Sequence, residues 1–147
     1  MNLNDKMQVA LELAKRACEL DEVPIGAVVF RGDEVICKTH NECEAKGTFV
    51  KHAELIAIEL ACEIVGSKYL NDCEIFVTME PCPMCMGAIM LSRFKNVYFG
   101  CYDYKFGACG SKFNLLDEVH YKSTQVYGGI MELECSDILK EFFKSKR

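Results

Sequence analysis

Glu74-Ile75-Phe76-Val77-Thr78-Met79, then Glu80-Pro81, then Cys82-Pro83-Met84-Cys85-Met86-Gly87-Ala88-Ile89-Met90-Leu91-Ser92-Arg93, then Asn96-Val97-Tyr98-Phe99-Gly100-Cys101, is the stretch that decides the fold. The first six residues form a short apolar run rich in β-branched and aromatic side chains, which predicts a strand. Cys82 to Arg93 is apolar almost throughout. Pro81 and Pro83 sit at its start, where proline is tolerated, so this segment predicts a buried helix. Asn96 to Cys101 predicts another strand. Strand, buried helix and strand in alternation argue for an α/β layer architecture.

Outward from that stretch the alternation continues. Asp5 to Leu20 predicts a helix, with Val9, Leu13, Ala17 and Leu20 on its apolar face and Asn4 or Asp5 as its cap. Ile25 to Phe30 is an apolar run, Arg31-Gly32-Asp33-Glu34 a turn and Val35-Ile36-Cys37 a return run, which together predict a β-hairpin. Ala53 to Val65 predicts an apolar helix closed by Gly66. Gln125 to Gly128 predicts a short fifth strand. Glu132 to Lys144 predicts a closing helix, with Leu133, Ile138, Leu139, Phe142 and Phe143 as its apolar positions. Tyr102 to Lys122 reads as loop with one helical turn near Asn114 to Asp117. There is no repeat, linker or low-complexity stretch, so residues 1–147 are expected to form a single domain.

Half of the residues are apolar, enough to bury a core, yet no run reaches the ~18 apolar residues of a membrane span. Met1 to Leu13 lacks the layout of a secretory leader, so the expected compartment is the cytoplasm. Ten cysteines raise the rival reading of a disulfide framework. The missing leader and the chain length argue against it. Cys18, Cys62, Cys73 and Cys135 fall at or beside apolar-periodic positions, where Cys acts as a small hydrophobe. The net charge of −5, from 17 basic and 22 acidic residues, does not advertise nucleic-acid binding. Basic residues do gather locally, at Lys140, Lys144, Lys146 and Arg147 and at Lys105, Lys112 and Lys122.

The chemistry lies in His52-Ala53-Glu54 and Pro81-Cys82-Pro83-Met84-Cys85. A lone Cys-x-x-Cys is weak evidence, because redox pairs and structural zinc share it. Together and in this order the two motifs match the known signature of zinc nucleobase deaminases. His52, Cys82 and Cys85 supply three zinc ligands, which leaves the fourth position open, as in catalytic rather than structural zinc. Such a site lowers the pKa of bound water from 15.7 to about 7. Glu54 is the candidate proton shuttle. Each motif lies at or just before a predicted helix N-terminus, where partial positive charge favours thiolates. Two residues apart in a regular helix, His52 and Glu54 would diverge by about 200°. They can serve one site only if the metal lies off the helix end. The rival from another class is a structural zinc site in a non-enzymatic subunit, with His40, His120 or Cys109 as fourth ligand.

The sequence resembles the bacterial tRNA adenosine deaminases of the cytidine/deoxycytidylate deaminase superfamily. The resemblance runs nearly end to end, through Leu13 to Ala17, Glu22 to Val28, His52 to Glu54, Thr78 to Ile89, Ser92-Arg93, Phe99-Gly100, Asp103, Lys105, Gly107-Ala108, Gly110-Ser111 and Phe142-Phe143. It implies a three-layer α/β/α cytidine-deaminase-like fold around a five-stranded mixed sheet, a homodimer, and one zinc ion per subunit. It also implies conversion of adenosine to inosine at the wobble position of a tRNA anticodon, which lets one tRNA read several codons. The RNA partner would be an anticodon stem-loop, whose unstacked bases are cheap to extrude. By the same resemblance Asn41 hydrogen-bonds the target adenosine, Ile25 walls its pocket, Glu80 supports the site, and Asp103 contacts a neighbouring sugar. Lys105 and Phe106 belong to the substrate-binding set.

The sequence departs from the family pattern in three places. Thr48-Phe49-Val50-Lys51 stands where Asp-Pro-Thr-Ala is common, Phe106 replaces Thr in Lys-Thr-Gly, and Lys122-Ser123-Thr124 replaces Asn-His-Arg. Phe106 lies where RNA should pass and could stack on a base, worth ~1–3 kcal/mol. The alternative reading is a free-base or nucleoside deaminase of the same fold, acting on guanine, cytosine or adenosine.

Overall fold

Five strands, β1 (Gly26–Arg31), β2 (Glu34–His40), β3 (Glu74–Met79), β4 (Asn96–Cys101) and β5 (Gln125–Tyr127), form one sheet in the order β2-β1-β3-β4-β5. The computed structural model describes residues 1–146, so Arg147 of the expected basic tail lies outside the described residues. β1 runs antiparallel to both β2 and β3, whereas β3, β4 and β5 are mutually parallel. The sheet is therefore mixed, as the resemblance implies. β2 and β3 point the same way, and so the C-terminal ends of β2, β3, β4 and β5 share one edge.

Side chains alternate across the strands and build two cores. Ala27, Val29, Ile75 and Val77 face α3 (Ala53–Val65) and α4 (Pro83–Leu91). Val28, Phe30 and Phe76 face α1 (Leu3–Glu19) and α6 (Glu132–Ser145). This period-two pattern makes three layers, helices over both faces of the sheet.

Several local expectations need correction. Helix α1 starts earlier than Asp5, because Asn2 accepts a hydrogen bond from Asp5 N (2.8 Å) and Asp5 accepts one from Asn2 N (3.1 Å). This reciprocal cap satisfies two orphan donors at once. The buried face of α1 is Met7, Ala10, Leu11, Ala14 and Ala17, while Val9 and Leu13 lie at its margin and Leu20 is exposed. Gly26 gives the reason. A Cβ there would sit 2.1 Å from the Ala10 carbonyl and 2.7 Å from Ala14 N, so the helix backbone lies directly on β1 at these two alanines. On α6 the buried positions are Cys135, Leu139 and Phe142, one stripe at helical spacing. Leu133 is 65% exposed because it falls on the opposite side, and Phe143 is half exposed. Cys135 packs where a Cβ on Gly100 would otherwise be.

The hairpin turns at Gly32-Asp33, with Arg31 paired to Glu34, and β2 continues past Cys37 to His40. A short helix α2 (Cys43–Lys46) follows that the sequence did not announce. The expected turn near Asn114 is α5 (Leu115–Glu118), capped by the Asn114 side chain. All ten cysteines are free thiols. Among the described residues no helix is long and apolar enough to cross a membrane.

Candidate active site

The loops after β2, β3 and β4 leave the sheet at the same edge, outside the carboxyl ends of the strands, where open α/β sheets place their ligands. The first leads to α3 and the second to α4. His52 is the N-cap of α3, in extended conformation (φ −71°, ψ 147°). Cys82 is the N-cap of α4, also extended (φ −76°, ψ 172°), and Cys85 lies in its first turn. Because His52 precedes the helix, it escapes the divergence that separates it from Glu54 in a regular helix. The His52 side chain makes no bond to its own helix, and it turns toward Cys82.

They meet. His52 Nδ1 lies 3.7 Å from Cys82 Sγ and 3.4 Å from Cys85 Sγ. Zinc bonds of about 2.0–2.1 Å to nitrogen and about 2.3 Å to sulfur, at a tetrahedral angle, set nitrogen and sulfur about 3.6 Å apart. Both His52 distances match that spacing, and all three donor atoms lie within 4.8 Å of one another, so the set could hold a zinc ion. Among the described residues they are the only group of three or more His, Cys, Asp or Glu that converges in this way. The rival fourth ligands are elsewhere: His40 Nδ1 lies 2.9 Å from the Asn41 carbonyl, Cys109 Sγ donates to Met86 Sδ, and His120 is exposed at the end of α5. A three-ligand site with an open position is the catalytic arrangement.

The electrostatics match. A hydrogen bond from Cys85 pulls the Cys82 thiol down to about 4 against the opposing effect of burial, with help from His52. Cys85 is held far up by donating to Cys82 and by burial. The thiolate of Cys82 raises the pKa of His52, against burial. Glu54, in the first turn of α3, is buried, and burial pushes its carboxyl up to about 7. A carboxyl balanced near neutrality can both take and give a proton.

The other expected residues surround this centre in different ways. Asn41 Oδ1 accepts a hydrogen bond from Ala53 N at 2.8 Å. That donor is an orphan N–H at the start of α3, and Asn41 satisfies it in place of the N-cap residue His52. The Asn41 amide nitrogen has no protein acceptor among the described residues. Asp103 Oδ1 accepts from Lys105 N (3.0 Å) and Phe106 N (3.1 Å), which makes it the cap of its own loop. Asp103 and Phe106 line a cavity of about 430 Å³ with Phe49, Val50, His52, Cys82, Pro83 and Met84. Lys105 is exposed beside it, its ammonium 5.9 Å from the centre of the Phe106 ring. Ile25 does not line that cavity. It is wedged between the two cores, and its carbonyl accepts from Asn41 N. Lys51 is half-buried, and its carbonyl accepts from Glu42 N.

Sequence reasoning leaves Glu80 without a contact and gives Glu22 no role. Buried Glu80 accepts from Asp103 N, Cys109 N and Ser111 N (3.0, 3.0 and 3.1 Å) and from the Ser111 hydroxyl. It folds the whole loop after β4 around one carboxylate. Gly107 is required there, because a Cβ would lie 2.4 Å from Glu80 Cδ. Glu22 is likewise buried and accepts from Glu44 N (2.9 Å) and Ala45 N (2.8 Å), tying down the loop after Asn41. For Glu80 the available signal is an acidic residue flanked by apolar ones, Met79 and Pro81, whereas Glu22 follows Asp21 and carries no such signal.

A family model described as MafB19-like deaminase matches residues 1–147. The tRNA-specific adenosine deaminase of Bacillus subtilis (strain 168) is 42% identical over 96% of this chain and 88% of its own length. That of Aquifex aeolicus (strain VF5) is 43% identical over 96% and 93%. A solved structure from work on A-to-I editing at the wobble position of transfer RNA superposes with a TM-score of 0.87 at 37% identity, covering 92% of this chain and 99% of that one. Likeness of that degree over nearly the full length of both partners, on the fold that brings His52, Cys82 and Cys85 together, places this chain in the tRNA-specific adenosine deaminase family.

Proposed function

We infer that this protein hydrolytically deaminates adenosine to inosine at the wobble position of a tRNA anticodon. One observation carries the reading: an open His-Cys-Cys donor set beside a buried carboxyl balanced near neutral pH. His52, Cys82 and Cys85 would hold one zinc ion, which when bound supplies an acidified water at neutral pH. Glu54 accepts a proton from the attacking water, passes it to the ring nitrogen, and then assists the departing amine. Asn41 offers its free amide to the base while its oxygen holds the start of α3. Ile25 acts from behind, by fixing Asn41. Asp103, Lys105 and Phe106 carry the RNA next to the target.

The acidic net charge does not oppose RNA binding, because Lys140 and Lys144 share a groove with Tyr102 and Phe143. We place the enzyme in the cytoplasm as a homodimer of single deaminase domains, each spanning residues 1–147. The deciding experiment is inosine formation on an anticodon stem-loop with adenosine at the wobble position, using zinc-loaded protein. Free adenosine, cytidine and guanine run in parallel. Turnover on the stem-loop alone is expected. Turnover confined to a free base or nucleoside would keep the chemistry and overturn the RNA substrate.

A further inference from the structure

The cavity that contains His52 and Cys82 has an unusual mouth. Phe49 is 89% exposed and Phe106 is 57% exposed, and both line this one cavity together with Val50 and the half-exposed Met84. Single exposed hydrophobes are ordinary on a protein surface, but a contiguous apolar set around a concave site marks a place where something binds. Both rings are held out by polar loop structure. At the first loop, Thr48 N donates to the Cys43 carbonyl and Val50 N donates to Thr48 Oγ1, so the tip that carries Phe49 is a closed turn. At the second, Asp103 takes the backbone N–H groups of Lys105 and Phe106, and Glu80 anchors Asp103 in turn. Neither ring belongs to either core.

Exposed aromatic faces beside a site that receives an extruded base suit one occupant, a second unstacked base. Sequence-tolerant stacking on such side chains is how loops and single strands are held. The Lys105 ammonium adds positive charge next to the Phe106 ring, where a nucleotide brings a phosphate. A free base or nucleoside has no neighbouring base and would gain nothing from this surface.

We propose that Phe49 and Phe106 form a stacking clamp for the loop nucleotide adjoining the target, and that this clamp is what selects an RNA loop over a free nucleoside. The inference rests on the RNA-deaminase reading and adds the residues that enforce it. The test uses zinc-loaded protein carrying Glu54→Ala, which binds without turning over. The probe is an anticodon stem-loop with a fluorescent purine analogue on one side or the other of the wobble adenosine. Binding should quench one of the two labels. Phe49→Ala and Phe106→Ala should each weaken binding by about 5- to 160-fold and lessen the quench. Phe→Tyr at either position should restore binding to within about threefold, because it keeps the ring face. Phe→Leu should behave like Ala. Rescue by Leu would show that only apolar bulk is needed and would overturn the clamp. So would dissociation of a dimer by Phe49→Ala, measured by sedimentation, since that assigns the face to a second copy of this chain. Failure of every protein to bind the stem-loop would instead sink the RNA reading itself.

Discussion

The floor of the site and its rim are built by different means. The floor consists of His52, Cys82 and Cys85, placed by the first residues of two helices that start at the same sheet edge. Its geometry follows from covalent spacing and from helix starts packed into the core. The rim consists of the loops 41–52 and 102–111, which contain little regular structure. Each is gathered onto one buried carboxylate, Glu22 for the first and Glu80 for the second. A metal site needs its donors fixed to within a few tenths of an ångström, and a backbone that is itself a helix start provides this. A surface that accepts nucleic acid needs length and shape, which only loops supply, and loops need an internal anchor to hold one shape.

The sharpest separation of the two comes from Glu54→Ala. Loss of the shuttle should lower kcat by about 100- to 10,000-fold, while zinc content and stem-loop affinity stay near wild type. Deamination at the normal rate would remove Glu54 from the chemistry. Glu80→Gln addresses the other half. It replaces a carboxylate that receives three backbone N–H groups and a hydroxyl by an amide that can accept at only one oxygen. Hydrogen bonds to a charged acceptor contribute about 1.5–3 kcal/mol each, so a loss of about 3 kcal/mol in unfolding free energy is expected. The enzymatic damage should appear mainly in KM, with zinc retained. Zinc loss in this variant would show that floor and rim are one unit, and the distinction would fall.

Asn41 sits on the boundary, and two substitutions divide its roles. Asn41→Ala removes the acceptor for Ala53 N and should cost about 1 kcal/mol of stability, together with RNA turnover. Asn41→Asp keeps that acceptor and exchanges the amide donor for a charged carboxylate oxygen. It should preserve the melting temperature and still lose turnover. Equal loss of stability in both would make Asn41 a cap and nothing more.

The same division explains what the sequence discloses. The five strands, the hairpin, the apolar α3 and α4 and the three ligands are legible because each depends on neighbours within a few residues. The local pattern alone puts His52 and Cys82 at helix starts, and the demand that His52 leave the helix is met. The faces of α1 and α6 differ from those the periodicity predicts. The backbone of α1 approaches β1 too closely for any side chain at Gly26, and Cys135 takes the core position expected of Leu133. Those facts depend on packing between distant segments. Glu80 reaches donors 23, 29 and 31 positions away. Its partners are mostly backbone N–H groups, which every residue but proline carries, so no side-chain pattern could announce them. For Asp103 the resemblance implies a sugar contact. The structure displays a loop cap, Oδ1 accepting from Lys105 N and Phe106 N, which again depends on backbone N–H groups that no side-chain pattern announces.

The smallest expected effect tests how far the rim extends. Lys140 and Lys144 lie one helical turn apart on α6 and line a groove with Tyr102, Leu139 and Phe143, reached through Tyr102 from the loop that carries Asp103. Tyr102 stacks near Tyr104 (centroids 6.4 Å apart), and Tyr104 is exposed on that same loop. If RNA leaves the zinc site along this line, each lysine neutralises one phosphate and releases its counterion. The slope of log affinity against log salt should then become shallower by about 0.7 for Lys140→Ala or Lys144→Ala, with no change in kcat. An unchanged slope in both variants would confine the RNA contact to the loops and leave α6 as a structural layer only. A change in kcat would have the opposite meaning, since it would tie a groove on the far face of β4 to proton transfer at Glu54, and the separation of floor from rim could not then hold.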